Sequence, residues 1–369
     1  MSKIKLITIN IIVFFCLLFF IEGASWLVLR LTNKKKVPLH ERLAYYQQQS
    51  WSKDYLAEHQ KSFQFDFHPF VMSRKQPFKG KYVNIDSTGL RYTAYNSAKI
   101  GAKKVFFMGG STIYGTGSPD SLTIPSYFSK ILHQKNADTS IVAYNFGESA
   151  WVIQQSLIQL IGELRSGNIP DFVVFYDGAN DMYAALQNKK ANSFQNAETY
   201  AQNIRPDFKI ILQRIWKLIK DKSYTLSLFE QFFEKPKFSS LTPQQEQNLA
   251  QDVVKNYFAT YQLIEALAKS YNFKFALFWQ PTLAVTQKSL GSYEKELLAK
   301  DDKVLANFLK VTTQFVEKAS KEKYPHFYLL HHALDTIPAD VFFDFVHITP
   351  QGNEMIAQNM IQALEKNKN

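Results

Sequence analysis

Cysteine is nearly absent: the 369 residues contain one, Cys16, and it lies in an apolar leader. Intramolecular disulfides and thiolate zinc sites are thereby excluded. A chain of this length buries enough surface to fold without cross-links, so the missing disulfides say nothing about compartment. Other absences narrow the function. The formal net charge is +11, from 43 Lys+Arg against 32 Asp+Glu, yet no recognition helix or RNA-binding signature accompanies it. The excess is therefore read as attraction to anionic lipid or polyanionic glycan, and nucleic acid is set aside as a partner. No internal repeat or long linker divides the chain. With 46% hydrophobic and 20% charged residues the composition is globular, and one large catalytic domain with insertions is the simplest organisation.

What is present begins with the leader. Lys3 and Lys5 precede an apolar run over residues 6–21, broken only by Thr8 and Asn10. Beyond Glu22 the run resumes to Leu29, and Arg30 with Lys34, Lys35 and Lys36 closes it. As a helix, residues 6–29 are long enough to cross the roughly 30 Å of bilayer hydrocarbon. The small residues Gly23, Ala24 and Ser25 also suit a cleaved signal peptide, but the continuation through Trp26, Leu27 and Val28 favours an uncleaved single-pass anchor. The heavier basic cluster after the span would favour a cytoplasmic domain. The order of basic tip and apolar run is that of exported proteins, and the expectation adopted is a domain on the outer face, periplasmic or at the cell surface.

Residues 1–36 are thus read as anchor with flanks, and residues 37–102 as an aromatic-rich lead-in with turn chemistry at Asp86-Ser87-Thr88-Gly89. From residue 103 to 369 short apolar runs alternate with helical patterns, the signature of an α/β domain with a parallel sheet under covering helices. The runs are 105–108, 141–146, 172–176, 273–279 and 327–330. Ile124, Phe128, Ile131 and Leu132 follow helical spacing, as do Ile153, Leu157, Leu160, Ile161 and Leu164. Thr242-Pro243 with Gln245 predicts a capped helix start, and Thr349-Pro350 repeats the device. Residues from about 184 to 240 are more than the sheet needs and read as an insertion or lid. Its apolar Ile211, Ile215, Trp216 and Ile219 accompany basic Lys209, Arg214, Lys217, Lys220 and Lys222, which suits a membrane surface or, more simply, a solvated helix face.

The run 105–108 leads into Gly109-Gly110-Ser111-Thr112, placing a hydroxyl at the carboxyl end of a core strand, where open α/β sheets bind ligands. Two familiar motifs fail here. A phosphate loop would need Lys and Ser/Thr where Thr116-Gly117 stands, and a nucleophile elbow would need glycine where Ile113 stands. A nucleophilic serine needs a base and a group that orients the base. Asp344-Phe345-Val346-His347, just ahead of a helix beginning at Pro350, supplies both; His331 and His332 are not singled out. Oxyanion donors are available at Gly147, after the second run, and at Asn180 in Asp177-Gly178-Ala179-Asn180-Asp181, after the third.

Four segments in this order resemble the SGNH hydrolase superfamily, the GDSL-like enzymes, in a membrane-anchored bacterial form. The likeness rests on Ser111 in Gly-Gly-Ser-Thr, Gly147 in Asn145-Phe146-Gly147-Glu148, Asn180 in Gly178-Ala179-Asn180-Asp181, and His347 in Asp344-Phe345-Val346-His347. Gly110 departs from the frequent Gly-Asp-Ser of the first block, which removes a carboxylate beside the serine. The resemblance implies a three-layer α/β/α fold around a mostly parallel five-stranded, flavodoxin-like sheet, with the N-terminal transmembrane helix outside it. It implies Ser111 as nucleophile, His347 as base and Asp344 as its orienter, with Ser111, Gly147 and Asn180 forming the oxyanion hole. No metal or organic cofactor is implied. The expected activity is removal of acyl groups, acetyl foremost, from a carbohydrate or lipid. The alternatives are an O-acyltransferase acting on an envelope glycan and a non-catalytic glycan-binding or scaffold protein.

Overall fold

Strand β1 (Lys103–Gly109) is the second strand of a five-stranded sheet in which every neighbouring pair runs parallel. β2 (Ile141–Asn145) flanks it on one side, and β3 (Phe172–Asp177), β4 (Lys274–Trp279) and β5 (Phe327–Leu329) follow on the other, giving the order β2-β1-β3-β4-β5. The computed structural model describes residues 3–32, 37–135, 140–204, 208–232, 238–321 and 324–366; Lys34, Lys35, Lys36 and the side chain of Lys209 lie outside what it describes.

Alternation along each strand divides the core. Phe106, Met108, Val173, Phe175, Phe275 and Leu277 point to one face, where helices Ile153–Arg165, Pro243–Tyr271 and Lys303–Ser320 cover them. Val105, Phe107, Val174, Tyr176, Ala276 and Phe278 point to the other, under helices Ile124–Lys135 and Pro350–Lys366. Strands buried on both faces are apolar throughout, and this is why the runs were legible as unbroken blocks. The three-layer α/β/α arrangement follows, and its strand order reverses at β1. Such a switch point opens a crevice at the carboxyl ends of the strands.

The cap expected at Thr242 is present. The Thr242 hydroxyl accepts from the Gln245 N–H at 3.3 Å, and the Gln245 side chain accepts from the Thr242 N–H at 2.9 Å. Its counterpart at Thr349 is only half realised. Pro350 opens the last helix, but the buried Thr349 hydroxyl has no partner, and the loop before it is held by other contacts described below.

The chain divides into two compact units, Pro38–Ala197 with Phe238–Asn369, and Met1–Val37 with Glu198–Lys237. The lead-in, read from sequence as a segment apart, thus belongs to the same unit as the sheet. It contributes helix Ser52–Lys61 and two short antiparallel pairs, Phe65–His68 with Met72–Lys75 and Phe78–Lys79 with Asn84–Ile85. Its fully buried Tyr46, Tyr55 and Val83 supply apolar surface of their own, and Arg91 bridges to Asn145 of β2. The insertion starts later than residue 184, because Ala184, Ala185 and Leu186 are core residues of helix Ala179–Asn188. In the second unit, helix Lys3–Thr32 is long and apolar enough to cross a membrane, and it is accompanied by helices Phe208–Lys220 and Tyr224–Phe232.

Candidate active site

Ser111 opens the short helix Ser111–Tyr114 that follows β1 directly. N–H groups of a first helical turn have no partner within the helix, so the Ser111 N–H is available beside its own hydroxyl. The His347 Nε2 lies 2.6 Å from Ser111 Oγ, and His347 Nδ1 lies 2.6 Å from Asp344 Oδ2. The three residues thus form one continuous hydrogen-bonded chain, although 236 positions separate Ser111 from His347.

The loop carrying the last two is shaped by its own aspartate. Asp344 Oδ1 accepts from the N–H groups of Val346 at 2.9 Å and His347 at 2.7 Å, while Oδ2 faces the imidazole. Partial desolvation works against a charge on Asp344, but the imidazole and the two N–H groups outweigh it and hold the carboxyl below its ordinary range. The Phe343 N–H donates to the His347 carbonyl at 3.0 Å, and the Phe343 ring stacks on the imidazole at 5.6 Å between centroids. Beneath the loop, buried Glu294 accepts from the N–H groups of Val341 at 2.8 Å and Phe342 at 3.0 Å. Phe343 thus covers one face of the imidazole, and Glu294 ties down the backbone that leads to it.

Gly147 and Asn180 converge on the same helix start. A Cβ on Gly147 would stand 2.2 Å from the Tyr114 nitrogen, so only glycine lets the loop after β2 approach this closely. Its N–H donates to Asn145 Oδ1 at 3.0 Å and is therefore already engaged, a detail the spacing of the sequence blocks does not convey. Asn180 lies against Gly110, whose Cβ, were there one, would meet the amide nitrogen at 2.3 Å. Its amide is oriented at both ends: Gln195 Nε2 donates to its oxygen at 3.0 Å, and its nitrogen donates to the Trp151 carbonyl at 2.8 Å. Among the described residues the second N–H of that amide has no acceptor. His331 and His332 instead pair with Glu317 and Asp335, each at 2.8 Å, at the far edge of the sheet after β5.

Two cavities, of about 390 and 680 Å³, lie elsewhere: one beside β2 near Asn84, Arg91 and Tyr144, the other between helices Pro243–Tyr271 and Lys303–Ser320. Neither of these two is lined by Ser111, Asp344 or His347.

Residues 105–360 match the family model of the GDSL-like lipase/acylhydrolases. The chain belongs to that family. Similar solved structures include an acetylxylan esterase from Geobacillus stearothermophilus, 14% identical over 72% of this chain and 95% of that one, with a TM-score of 0.38. A lipase from a goat rumen metagenome is 12% identical over 71% and 97% at 0.39, and an alpha/beta hydrolase from the metagenome of Lake Arreo, Spain, is 14% identical over 73% and 96% at 0.37. No curated protein matches.

In this GDSL-like hydrolase several site-building residues had escaped the sequence reading. Asn145 ties the second block to helix Ser111–Tyr114, its amide donating to the Ile113 carbonyl at 2.9 Å. It stands inside a quoted block and so left a signal. Gln195 and Arg91 left none, since both come from stretches without periodicity. The Thr112 hydroxyl donates to buried Gln280 at 3.0 Å, linking the helix to the end of β4.

The third block of the hydrolase also hides a carboxylate pair. Burial, with the charge of Asp181 added, pushes Asp177 well above the ordinary range. Burial likewise pushes Asp181 up to about 7, against the pull of the Ile153 and Gly178 N–H groups, each bonded to it at 3.2 Å. Folded pKa values raised above the unfolded ones mean that the folded state binds more protons. The pair's contribution to stability is complete below the ordinary carboxylate pKa and is lost as pH rises through about 7. Asp177→Asn removes one carboxyl and its repulsion, so thermal melts should show a smaller loss of stability between about pH 5 and about pH 8 than in the parent chain. An equal loss in both proteins would contradict the pair's role.

Proposed function

We propose that the chain is a serine ester hydrolase working through an acyl-enzyme. Ser111 Oγ attacks the ester carbonyl while His347 Nε2 takes its proton; the tetrahedral intermediate collapses as His347 returns that proton to the departing alkoxide. Water then repeats the sequence on the acyl-serine, again with His347 as base, releasing the acid and restoring Ser111. Asp344 fixes the tautomer and supports the imidazolium that forms in each half. The observation that carries this reading is the unbroken Ser111, His347, Asp344 chain at 2.6 Å per link. For the oxyanion, the Ser111 N–H and the second Asn180 N–H are the principal donors. The Gly147 N–H contributes by sharing its hydrogen with Asn145 Oδ1. Donors of this kind are worth about 2.7–4 kcal/mol each in the transition state.

The acyl group in this proposal is short, acetyl by preference, and its carrier a carbohydrate or lipid. The net charge of +11 favours a carrier in an anionic envelope. Helix Lys3–Thr32 serves as a single-pass anchor holding the hydrolase at the outer face, in keeping with its basic tip and long, predominantly apolar course.

Product analysis with acetylated sugars and with longer-chain esters, each with and without a glycan acceptor, tests the reading. Free acetate is expected in both conditions, with rates falling as the acyl chain lengthens. Reaction with long chains alone would overturn the short-acyl assignment, and acyl-glycan in place of free acid would replace hydrolysis by transfer.

A further inference from the structure

The unit made by Met1–Val37 and Glu198–Lys237 holds an acidic side chain within an apolar helix. Glu22 stands eight residues before Arg30, about 12 Å along the helix axis. A carboxylate at that depth in hydrocarbon is costly and persists where partners satisfy it. Here Oε1 accepts from the Tyr224 N–H at 2.7 Å, and Oε2 accepts from the Thr225 N–H at 2.9 Å and the Ser223 hydroxyl at 3.2 Å. The Thr225 hydroxyl donates to it as well. These donors form the first turn of helix Tyr224–Phe232, which carries no acidic residue there itself. Glu22 is therefore both cap and counter-charge for that helix, and wherever Glu22 goes the helix start must follow.

Just before it, helix Phe208–Lys220 places Phe208, Ile211, Leu212, Ile215, Trp216 and Ile219 on one continuous stripe. These six side chains are 46% to 71% exposed. Arg214 and Lys217 lie off the stripe, and Lys220 with Lys222 closes the helix. An apolar stripe this long is seldom left to water, and a basic partner face with tryptophan is the make-up of a helix lying in a bilayer interface.

We propose that residues 208–232 are embedded in the membrane together with helix Lys3–Thr32. Helix Tyr224–Phe232 enters the hydrocarbon beside the span, docked by Glu22. Helix Phe208–Lys220 lies along the interface with its stripe in the acyl chains and Arg214, Lys217, Lys220 and Lys222 at anionic headgroups. The occupant of the stripe is thus the lipid bilayer, an assignment carried by the Glu22 contacts independently of the stripe itself. It rests on the reading of Lys3–Thr32 as a membrane span.

The test uses the full chain with Cys16→Ser, in nanodiscs of phosphatidylcholine and phosphatidylglycerol. A nitroxide is attached in turn through Phe14→Cys on the span, Ile215→Cys on the stripe and Ile169→Cys on the surface of the hydrolase unit. Oxygen, which concentrates in lipid, and a charged nickel chelate, which stays in water, report where each nitroxide lies. Positions 14 and 215 should both meet oxygen and lose nickel collisions by an order of magnitude relative to position 169. Nickel reaching position 215 while position 14 stays in lipid would overturn the proposal and leave the span standing. Protection of position 215 from both probes would mean a protein covers the stripe and would overturn it equally. Nickel reaching position 14 would bring down the span reading and the proposal with it. A second variant, Glu22→Ala, should sharply increase the mobility of a nitroxide at Phe229→Cys while position 14 remains in lipid; unchanged mobility there would refute docking by Glu22.

Discussion

Ser111→Ala should lower kcat for ester hydrolysis by about 10⁶ and abolish covalent labelling by a fluorophosphonate, with little change in stability. The size follows from the arrangement at the end of β1. Among the described residues no other hydroxyl is bonded to His347 Nε2, so on the proposed mechanism its removal leaves the base without a nucleophile to activate. The remaining rate comes from the oxyanion donors and from substrate positioning. Folding should tolerate the change, because Ser111 is partly exposed at a helix start and, among the described residues, its hydroxyl bonds only the imidazole. A melting curve within about 0.5 kcal/mol of the parent is expected. His347→Ala should cost about as much, and the double variant little more, since the two act as one unit. Equal labelling of the parent and Ser111→Ala would end the serine-enzyme reading.

Arg91→Ala should destabilise the fold by about 3–5 kcal/mol, lowering the melting temperature by roughly 10 °C. The guanidinium is fully enclosed and uses nearly all of its donors. Nε donates to Asp120 at 2.9 Å, Nη1 to the carbonyls of Tyr114 and Gly115 at 2.8 Å each, and Nη2 to the carbonyl of Ser118. It also lies over the Tyr114 ring at 4.7 Å. Burial pushes the Asp120 carboxyl up, and Arg91 is the main force pulling it back. Without the arginine, a buried carboxylate and three carbonyls lose their partner together. The turn it grips begins at the end of helix Ser111–Tyr114, so on the proposed mechanism the loss should also fall on kcat more than on KM. Arg91→Lys should restore little, because one ammonium cannot span the same set of acceptors. Stability of Arg91→Ala within about 1 kcal/mol of the parent would show that the network is not what holds the turn.

These two residues mark how far the sequence could be read. Ser111 was legible because its partners fall into short blocks at strand ends, in a fixed order, and because the strands are apolar on both faces. The five runs therefore appear in the structure within a few residues of their expected limits, and His347 lies on Ser111 as the order of blocks implied. Arg91 was invisible because an arginine in a polar, turn-rich stretch looks like any solvated one. Nothing local distinguishes it until the chain folds back to bring Tyr114, Ser118 and Asp120 around it. For the same reason the lead-in looked like an ornament and proved to share a unit with the sheet. Gln195, which orients the Asn180 amide, lay within what was taken for the insertion.

Periodicity and short motifs are statements about neighbours in the chain, and they sufficed for the parallel sheet, the capped start at Thr242, the long apolar helix and the meeting of Ser111, His347 and Asp344 in space. Tertiary structure alone decided which donors remain available, because hydrogen bonds are allotted by proximity in space. It shares the Gly147 N–H with Asn145 and, among the described residues, leaves the Asn180 amide with a second hydrogen not engaged. It also turned Glu22, an isolated charge in an apolar run, into the cap of a helix some two hundred residues away, since a carboxylate and a helix start each lack what the other supplies.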